Sequence, residues 1–209
     1  MPYTPRRGYE YGKRIYDLCV AGVGVTLLAP VLLAITLMIR IDSAGPALYR
    51  GRRVGLRGRQ FDIIKFRTMW VGAERAGTTT AKNDPRVTRV GRFLRRFKLD
   101  ELPQLFNVLR GDMSLVGPRP EVEEHVREYN EREREILTVL PGITDYSSVR
   151  FFDLAESLGE QDPHRVYLTS VRAQKNLLRL EYVHRRSFRE DLRILGITAW
   201  KLVKVVLGR

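Results

Sequence analysis

The sequence predicts an α+β, mostly helical fold attached to a membrane, and three observations carry that prediction. From Leu18 to Ile39 there are 22 residues without a charge, enough at about 1.5 Å per residue to reach across a hydrocarbon core of about 30 Å. Apolar residues recur at helical spacing in later segments, notably Val87 to Phe97, Leu102 to Leu109 and Val122 to Leu140. Strand-prone composition falls in one stretch, Ala47 to Met69, which reads as a small β-hairpin. The division that follows is a lead and membrane helix over residues 1–42 and a folded domain over residues 43–209.

Bulk composition narrows the classes of function. With 209 residues and 44% hydrophobic content, the chain can bury one real core with appendages. Its 37 Lys and Arg against 24 Asp and Glu leave a net charge of +13, which calls for a polyanionic partner: nucleic acid, an anionic lipid surface or a phosphorylated substrate. The single cysteine, Cys19, excludes an internal disulfide and a cysteine-based zinc site, and its apolar surroundings suit packing. His125, His164 and His184 have no spacing that favours a metal site.

Taken in order, the first 14 residues are a basic lead with Arg6, Arg7, Lys13 and Arg14. Pro30 lies near the middle of the apolar run, where it removes an amide donor and predicts a bend after Ala29. Basic residues flank the run on both sides, Arg40, Arg50, Arg52 and Arg53 following it, so both flanks favour the cytoplasm. A Pro-broken, re-entrant helix satisfies that charge pattern; a straight spanning helix with a tolerated proline is the alternative. The run is too long for the apolar region of a cleavable signal, and no A-x-A site follows it.

Ser43-Ala44-Gly45-Pro46 is turn chemistry leading out of the membrane, and Gly55-Leu56-Arg57-Gly58 joins the two strands of the hairpin. Alternation from Phe61 to Met69 is imperfect. Lys65 and Arg67 are cations on the second strand, where solvated surface positions are the plain reading. Gly51, Gly55 and Gly58 match no nucleotide-binding fingerprint. A polar loop over 72–86 leads into an amphipathic helix with Val87, Val90, Leu94 and Phe97 on one face and Arg89, Arg92, Arg95 and Arg96 on the other.

The arginine face delivers cations beside two adjacent carboxylates, Asp100 and Glu101, with Arg119 following on the far side. Apolar Leu102, Leu105, Phe106 and Leu109 mark the next helix, with Pro103 in its first turn and Gly111 at its end. Both carboxylates are therefore expected at a helix N-terminus, where an N-cap and a first-turn acid are the ordinary explanation. Arginine forks suit phosphate oxygens, so a phosphate site is the sharper one. Glu121 to Glu135 read as the solvated face of a helix over 121–140, and Leu192 to Leu207, with Lys201, Lys204 and Trp200, as a helix lying in a membrane interface.

The motifs together resemble those of bacterial sugar transferases of the small monotopic phosphoglycosyl transferase family. The resemblance runs from Lys13 over nearly the whole chain. It is carried by the Pro30-containing segment, KFRTM at 65–69, DPRVTRVGRFLRRFKLDELPQLFNVLRGDMSLVGPRP at 84–120, PGIT at 141–144 and YVHRRSFREDLRIL at 182–195. It implies a cytoplasmic catalytic domain with interfacial helices over residues 43–209, on the cytoplasmic face of a bacterial inner membrane. The implied reaction moves a sugar phosphate from a UDP-sugar to a polyprenol (undecaprenyl) phosphate, releasing UMP, as a first membrane step of polysaccharide assembly.

On that likeness Asp100 is the nucleophile, which forms a covalent phosphosugar-aspartate, and Glu101 helps hold Mg²⁺. Lys65, Arg67, Arg95 and Arg119 are the phosphate-binding candidates, Asp191 a further metal ligand, and Asp145 and Arg150 candidate sugar contacts. Many relatives carry serine before the proline of the membrane helix, where this chain has Ala29. The rival class is a membrane-anchored nucleic-acid-binding protein, suggested by the charge, but no zinc-finger or RNA-binding signature accompanies it. Neither the sugar nor the oligomeric state is fixed by the sequence, and a homo-oligomer stays open.

Overall fold

The computed structural model describes residues 7–73, 80, 83–154 and 162–208. Arg6 with the start of the basic lead, and much of the polar loop expected over 72–86, lie outside the described residues. The chain is mostly helical, as predicted, with two small two-stranded sheets.

Helix α1, Arg7–Asp42, is 36 residues long and is long and apolar enough to cross a membrane. Its most apolar window is only 11% buried, so it is no core helix of a soluble domain. One face, with Ala21, Ile35 and Ile39, packs into the two main cores. The other exposes Val23, Leu27, Leu33, Leu37 and Ile41. Helical structure is continuous through Pro30, so the expected bend, where it occurs, lies within a single helix. A proline deletes one amide donor, here the partner of the Thr26 carbonyl, and the turns around it carry extra bonds. The hydroxyls of Thr26 and Thr36 donate to the carbonyls of Gly22 and Leu32 at 3.0 and 2.8 Å.

The hairpin forms as predicted. Strands β1 (Leu48–Val54) and β2 (Gln60–Phe66) pair antiparallel, from Leu48 opposite Phe66 to Val54 opposite Gln60. A 3₁₀ turn joins them, with Arg57 and Gly58 both at positive φ. The imperfect alternation of β2 has a cause: Phe61 and Ile63 enter one core while Phe66 enters the other, so both faces are covered.

Helix α2, Arg89–Arg96, starts on Thr88, whose hydroxyl accepts from the Gly91 amide at 2.9 Å. Asp42 at the end of α1 accepts from the Val90 amide at 3.0 Å, which ties the membrane helix to α2. Gly91 lets α2 touch the strand exit, since a Cβ there would clash with the Thr68 carbonyl. After a 3₁₀ turn at Leu99–Glu101, helix α3 (Gln104–Arg110) ends on Gly111 at φ 89. Buried Asn107 pins α3 to β2, accepting from the Ile64 amide at 2.9 Å and donating to the Asp62 carbonyl at 2.8 Å.

The single helix expected over 121–140 is corrected. Helix α4 covers Glu123–Arg127 only, and a 3₁₀ segment covers Glu133–Thr138. Asn130 and Glu133 cap each other reciprocally at 2.9 and 3.1 Å, starting a new turn where the periodicity suggested continuity. Strands β3 (Ser114–Val116) and β4 (Gly142–Thr144) form a parallel pair that the sequence did not reveal. It closes because Gly117 and Gly142 lack side chains that would collide with each other's backbone.

Helix α5 (Tyr146–Arg150) follows, then α6 (Pro163–Val166), a π-helical segment at Tyr167–Val171, α7 (Arg172–Arg185) and α8 (Phe188–Val206). Helix α8 buries Asp191 and Ile194 and exposes Leu192, Trp200, Val203 and Val206. Its apolar residues are thus divided between a buried side and an exposed one.

Candidate active site

The two adjacent carboxylates sit where the chain reverses between α2 and α3. Lys98 adopts the left-handed conformation (φ 56), which a non-glycine residue holds only when its surroundings fix it. It turns the chain into the 3₁₀ turn at Leu99–Glu101, so the acids stand just before α3 rather than inside its first turn. The Lys98 ammonium donates to the Phe152 carbonyl at 2.6 Å, which fastens that turn to the segment after α5.

Glu101 is bound from two sides. Lys65 on β2 donates to its Oε1 at 2.9 Å, and Arg119 donates Nη1 to Oε2 at 2.9 Å and Nη2 to Oε1. Arg119 also donates to the Ile143 carbonyl at 3.1 Å. Burial alone would raise the Glu101 carboxyl, but Arg119 and Lys65 outweigh it and hold it well below the usual carboxylate range. Burial presses Lys65 downward, with Glu101 opposing.

Asp100 has the opposite balance. It is buried, and its Oδ1 has no hydrogen-bond partner. Burial and then the Glu101 charge push its carboxyl up, against the pull of Lys65, Arg95 and Lys98. Arg95 donates Nε to the Thr68 hydroxyl at 2.8 Å, which aims the guanidinium of α2 toward the turn. Thus one carboxylate is locked to cations while its neighbour keeps an uncommitted oxygen among them. A cation can complete that coordination.

The remaining predicted residues lie elsewhere. Arg67 is buried and donates to the Ser43 and Ala44 carbonyls at 2.7 and 2.6 Å, latching the exit of α1. Asp191 is corrected as a partner of the dyad: it accepts from Tyr9, Lys13 and Tyr182 at 2.7 to 2.8 Å where α1, α7 and α8 meet. Among the described residues no three His, Cys, Asp or Glu side chains gather to hold a metal. Asp145 is fully buried; it caps α5 by accepting from the Ser148 amide at 2.7 Å and steadies the Arg119 amide at 3.3 Å. Arg150 is exposed at the end of α5, and Pro30 is exposed on α1.

Two features escaped the sequence reading. Glu121, expected on a solvated face, is largely withdrawn from solvent and accepts from Arg179 and Tyr167, each at 2.6 Å. No neighbour in sequence signalled this, because these partners lie 58 and 46 residues away. The second is a cavity of about 410 Å³ beside Glu101 and Arg119, between α5 and α8, with Lys175 in its wall.

A family model described as bacterial sugar transferase matches residues 8–205. A UDP-glucose:undecaprenyl-phosphate glucose-1-phosphate transferase of Xanthomonas campestris is 39% identical over 201 residues, covering 93% of this chain and 39% of that protein. One of the same name from Caulobacter vibrioides is 46% identical over 150 residues, covering 70% of this chain and 56% of its own length. A UDP-N-acetylgalactosamine-undecaprenyl-phosphate N-acetylgalactosaminephosphotransferase of Aeromonas hydrophila is 42% identical over 148 residues, covering 68% and 34%. The chain therefore spans about a third to just over a half of the length of these relatives.

Proposed function

The chain belongs to the bacterial sugar transferase family, and from that premise we propose that it transfers a sugar 1-phosphate from a UDP-sugar to undecaprenyl phosphate, with Asp100 as nucleophile. The observation that carries the reading is the asymmetric dyad: Glu101 committed to Lys65 and Arg119, Asp100 buried beside it with a free oxygen. In this scheme an Asp100 carboxylate oxygen bonds to the sugar-bearing phosphorus. The bond from that phosphorus to the bridging oxygen breaks, and its electron pair leaves with UMP. An oxygen of the lipid phosphate then attacks the same phosphorus and returns the carboxylate. Two in-line displacements at one pocket replace a single transfer between bulky substrates.

Lys65, Arg95 and Arg119 surround the turn and would offset the charge of the diphosphate. Mg²⁺ fits the donor set, since Mg²⁺ commonly takes one or two carboxylates and completes its shell with substrate phosphates and water. Asp100, with its unpartnered oxygen, would hold it beside Glu101, whose own oxygens are taken by Lys65 and Arg119, and when bound it would supply charge neutralisation at the phosphates. The nucleic-acid alternative draws no support from the family, whose members named above carry sugar-phosphate transferase names.

A re-entrant seat for α1, on the cytoplasmic face of the inner membrane, is part of the proposal. Lys13 near one end of α1 pairs with Asp191, and Asp42 at the other end binds α2, so one folded domain touches both flanks of the apolar run. A crossing helix would put those flanks on opposite sides of the bilayer, about 30 Å apart. A bend around Pro30, or a seat within one leaflet, keeps them together.

The test uses the full chain in nanodiscs with a panel of UDP-sugars, including UDP-glucose and UDP-N-acetylgalactosamine. UMP release that requires undecaprenyl phosphate for turnover is the expected result, and no release with any donor would overturn the reading. With labelled UDP-sugar alone, mass spectrometry should find phosphosugar on the peptide that carries Asp100; an unlabelled peptide beside active turnover would remove the covalent route.

A further inference from the structure

We infer that the cavity between α5 and α8 seats the acceptor lipid, its phosphate at Lys175 and its first isoprene units along Leu102, Leu195 and Leu202. The inference rests on the transfer proposed above and adds the location of one substrate and the residue that recognises it. At about 410 Å³ the cavity falls within the range of about 300 to 1,000 Å³ common for ligand sites.

The cavity has a charged end and an apolar body. At the charged end Arg119 is already bound to Glu101, and Lys98 to the Phe152 carbonyl. Lys175 is 6% exposed, and among the described residues no hydrogen bond or ion pair reaches it; its ammonium lies 5.4 Å from the centre of the Tyr167 ring. Burial, with Arg179 adding to it, presses Lys175 down to about 8 against the pull of Glu121. Ser148, also in the wall, has a buried hydroxyl without a partner. An incoming phosphate satisfies both groups, and buried polar groups rarely stay unsatisfied.

The body is lined by Leu102, by Leu105 of α3, by Leu195 and Leu202 of α8 and by Ile143, while the hydroxyls of Thr144 and Thr198 are bound to each other and that of Ser147 to Asp145. A sugar or nucleoside there would leave hydroxyls unpaired, at a cost that an isoprenoid chain avoids. Helix α8 also joins the cavity to lipid. Its Leu195, Thr198 and Leu202 face inward, while Leu192, Trp200 and Val203 are exposed on its outer side. The chain of a bilayer lipid can therefore pass beside α8 while its phosphate approaches the dyad.

The experiment measures the KM for undecaprenyl phosphate and for the UDP-sugar separately, in nanodiscs, for Lys175→Met and Leu202→Trp. Each substitution should raise the acceptor KM at least about tenfold and leave the donor KM within about twofold. Lys175→Met should also keep or raise Tm, because it removes a charge that the fold disfavours. Unchanged acceptor KM in both variants overturns the inference, and a raised donor KM alone assigns the cavity to the nucleotide sugar instead. A diazirine-bearing isoprenyl phosphate supplies a readout independent of turnover. It should label the peptide spanning Leu195 to Leu202 and be displaced by undecaprenyl phosphate. Label on other segments only overturns the site, whereas absent turnover in the unaltered chain strikes the proposed reaction and leaves this readout standing.

Discussion

Glu101 with Arg119 and Glu121 with Arg179 are the same Glu–Arg pair by composition, both partly or wholly withdrawn from solvent, yet their surroundings differ. At Glu121 the carboxylate itself is closed: Arg179 and Tyr167 share its Oε1, His125 meets its Oε2 at 3.0 Å, and it is held well below its usual range, while the unpartnered atom beside it, the Arg179 Nε, is a donor. The Glu101 cluster is open. Its arginine and lysine are joined by a second acid, Asp100, which burial pushes upward and whose Oδ1 binds nothing. A closed network holds the fold together, and an open one keeps capacity for a substrate. The two can be separated experimentally, because stability should follow the closed cluster and transfer the open one.

The sharpest way to break this comparison is Asp100→Asn. The amide keeps the shape of the side chain but is no nucleophile, so transfer should fall about 10⁴-fold or more. Melting temperature should hold or rise, since the charge removed is one the fold disfavours. Residual transfer near that of the parent would take the nucleophile away from Asp100. A collapse in Tm would make Asp100 part of a closed structural network after all.

Arg179→Met carries the converse test. It leaves Glu121, only 11% exposed at its side chain, without its main cation and should cost about 3 to 5 kcal/mol of stability, while transfer per folded molecule persists. The same cluster governs acid sensitivity. The folded Glu121 carboxyl lies below its ordinary value of 4.5, so it contributes stability above that pH and loses it as the pH falls toward the folded value. Glu121→Gln should therefore flatten the dependence of Tm on pH below about 5, read by scanning calorimetry in buffers from about pH 3 to 7. An unchanged acid limb would mean that other carboxylates set it.

Much of the open cluster was legible in the sequence, and little of the closed one. Asp100 and Glu101 announced themselves as adjacent acids among arginines, and the hairpin carried its own turn chemistry. Arg67 shares a motif with Lys65, and Asp191 stands in the separate motif at 182–195, yet both latch helices, because membership of a motif does not say which way a strand or helix presents a residue. Glu121 read as a surface acid because its partner, Arg179, is 58 residues away and only the packing of α7 brings it near. The parallel pair at β3 and β4 was hidden by its length of three residues a strand, too short for any periodicity. The reciprocal caps at Asn130 and Glu133 were present as a spacing, but the apolar repeat through Ile136 and Leu140 read more strongly than they did.

Tyr167→Phe makes the smallest change and bears most directly on whether the closed cluster is isolated from the site. The Tyr167 hydroxyl donates to Glu121 at 2.6 Å, and its ring lies 5.3 Å from that of His125 and beneath Lys175. Phenylalanine keeps the ring, so the packing and the cation–π contact with Lys175 persist. Only one hydrogen bond to a charged acceptor is lost, worth about 1.5 to 3 kcal/mol, and Glu121 still keeps Arg179 and His125. Stability should therefore drop toward the lower end of that range, measured as a shift of the urea midpoint at constant m. Acceptor and donor KM should stay within about twofold, since neither the dyad nor the Lys175 ammonium loses a partner. A tenfold change in acceptor KM at that modest loss of stability would show instead that the Glu121 network sets the position of Lys175, and the division between a closed cluster for the fold and an open one for the chemistry would give way to a single coupled network.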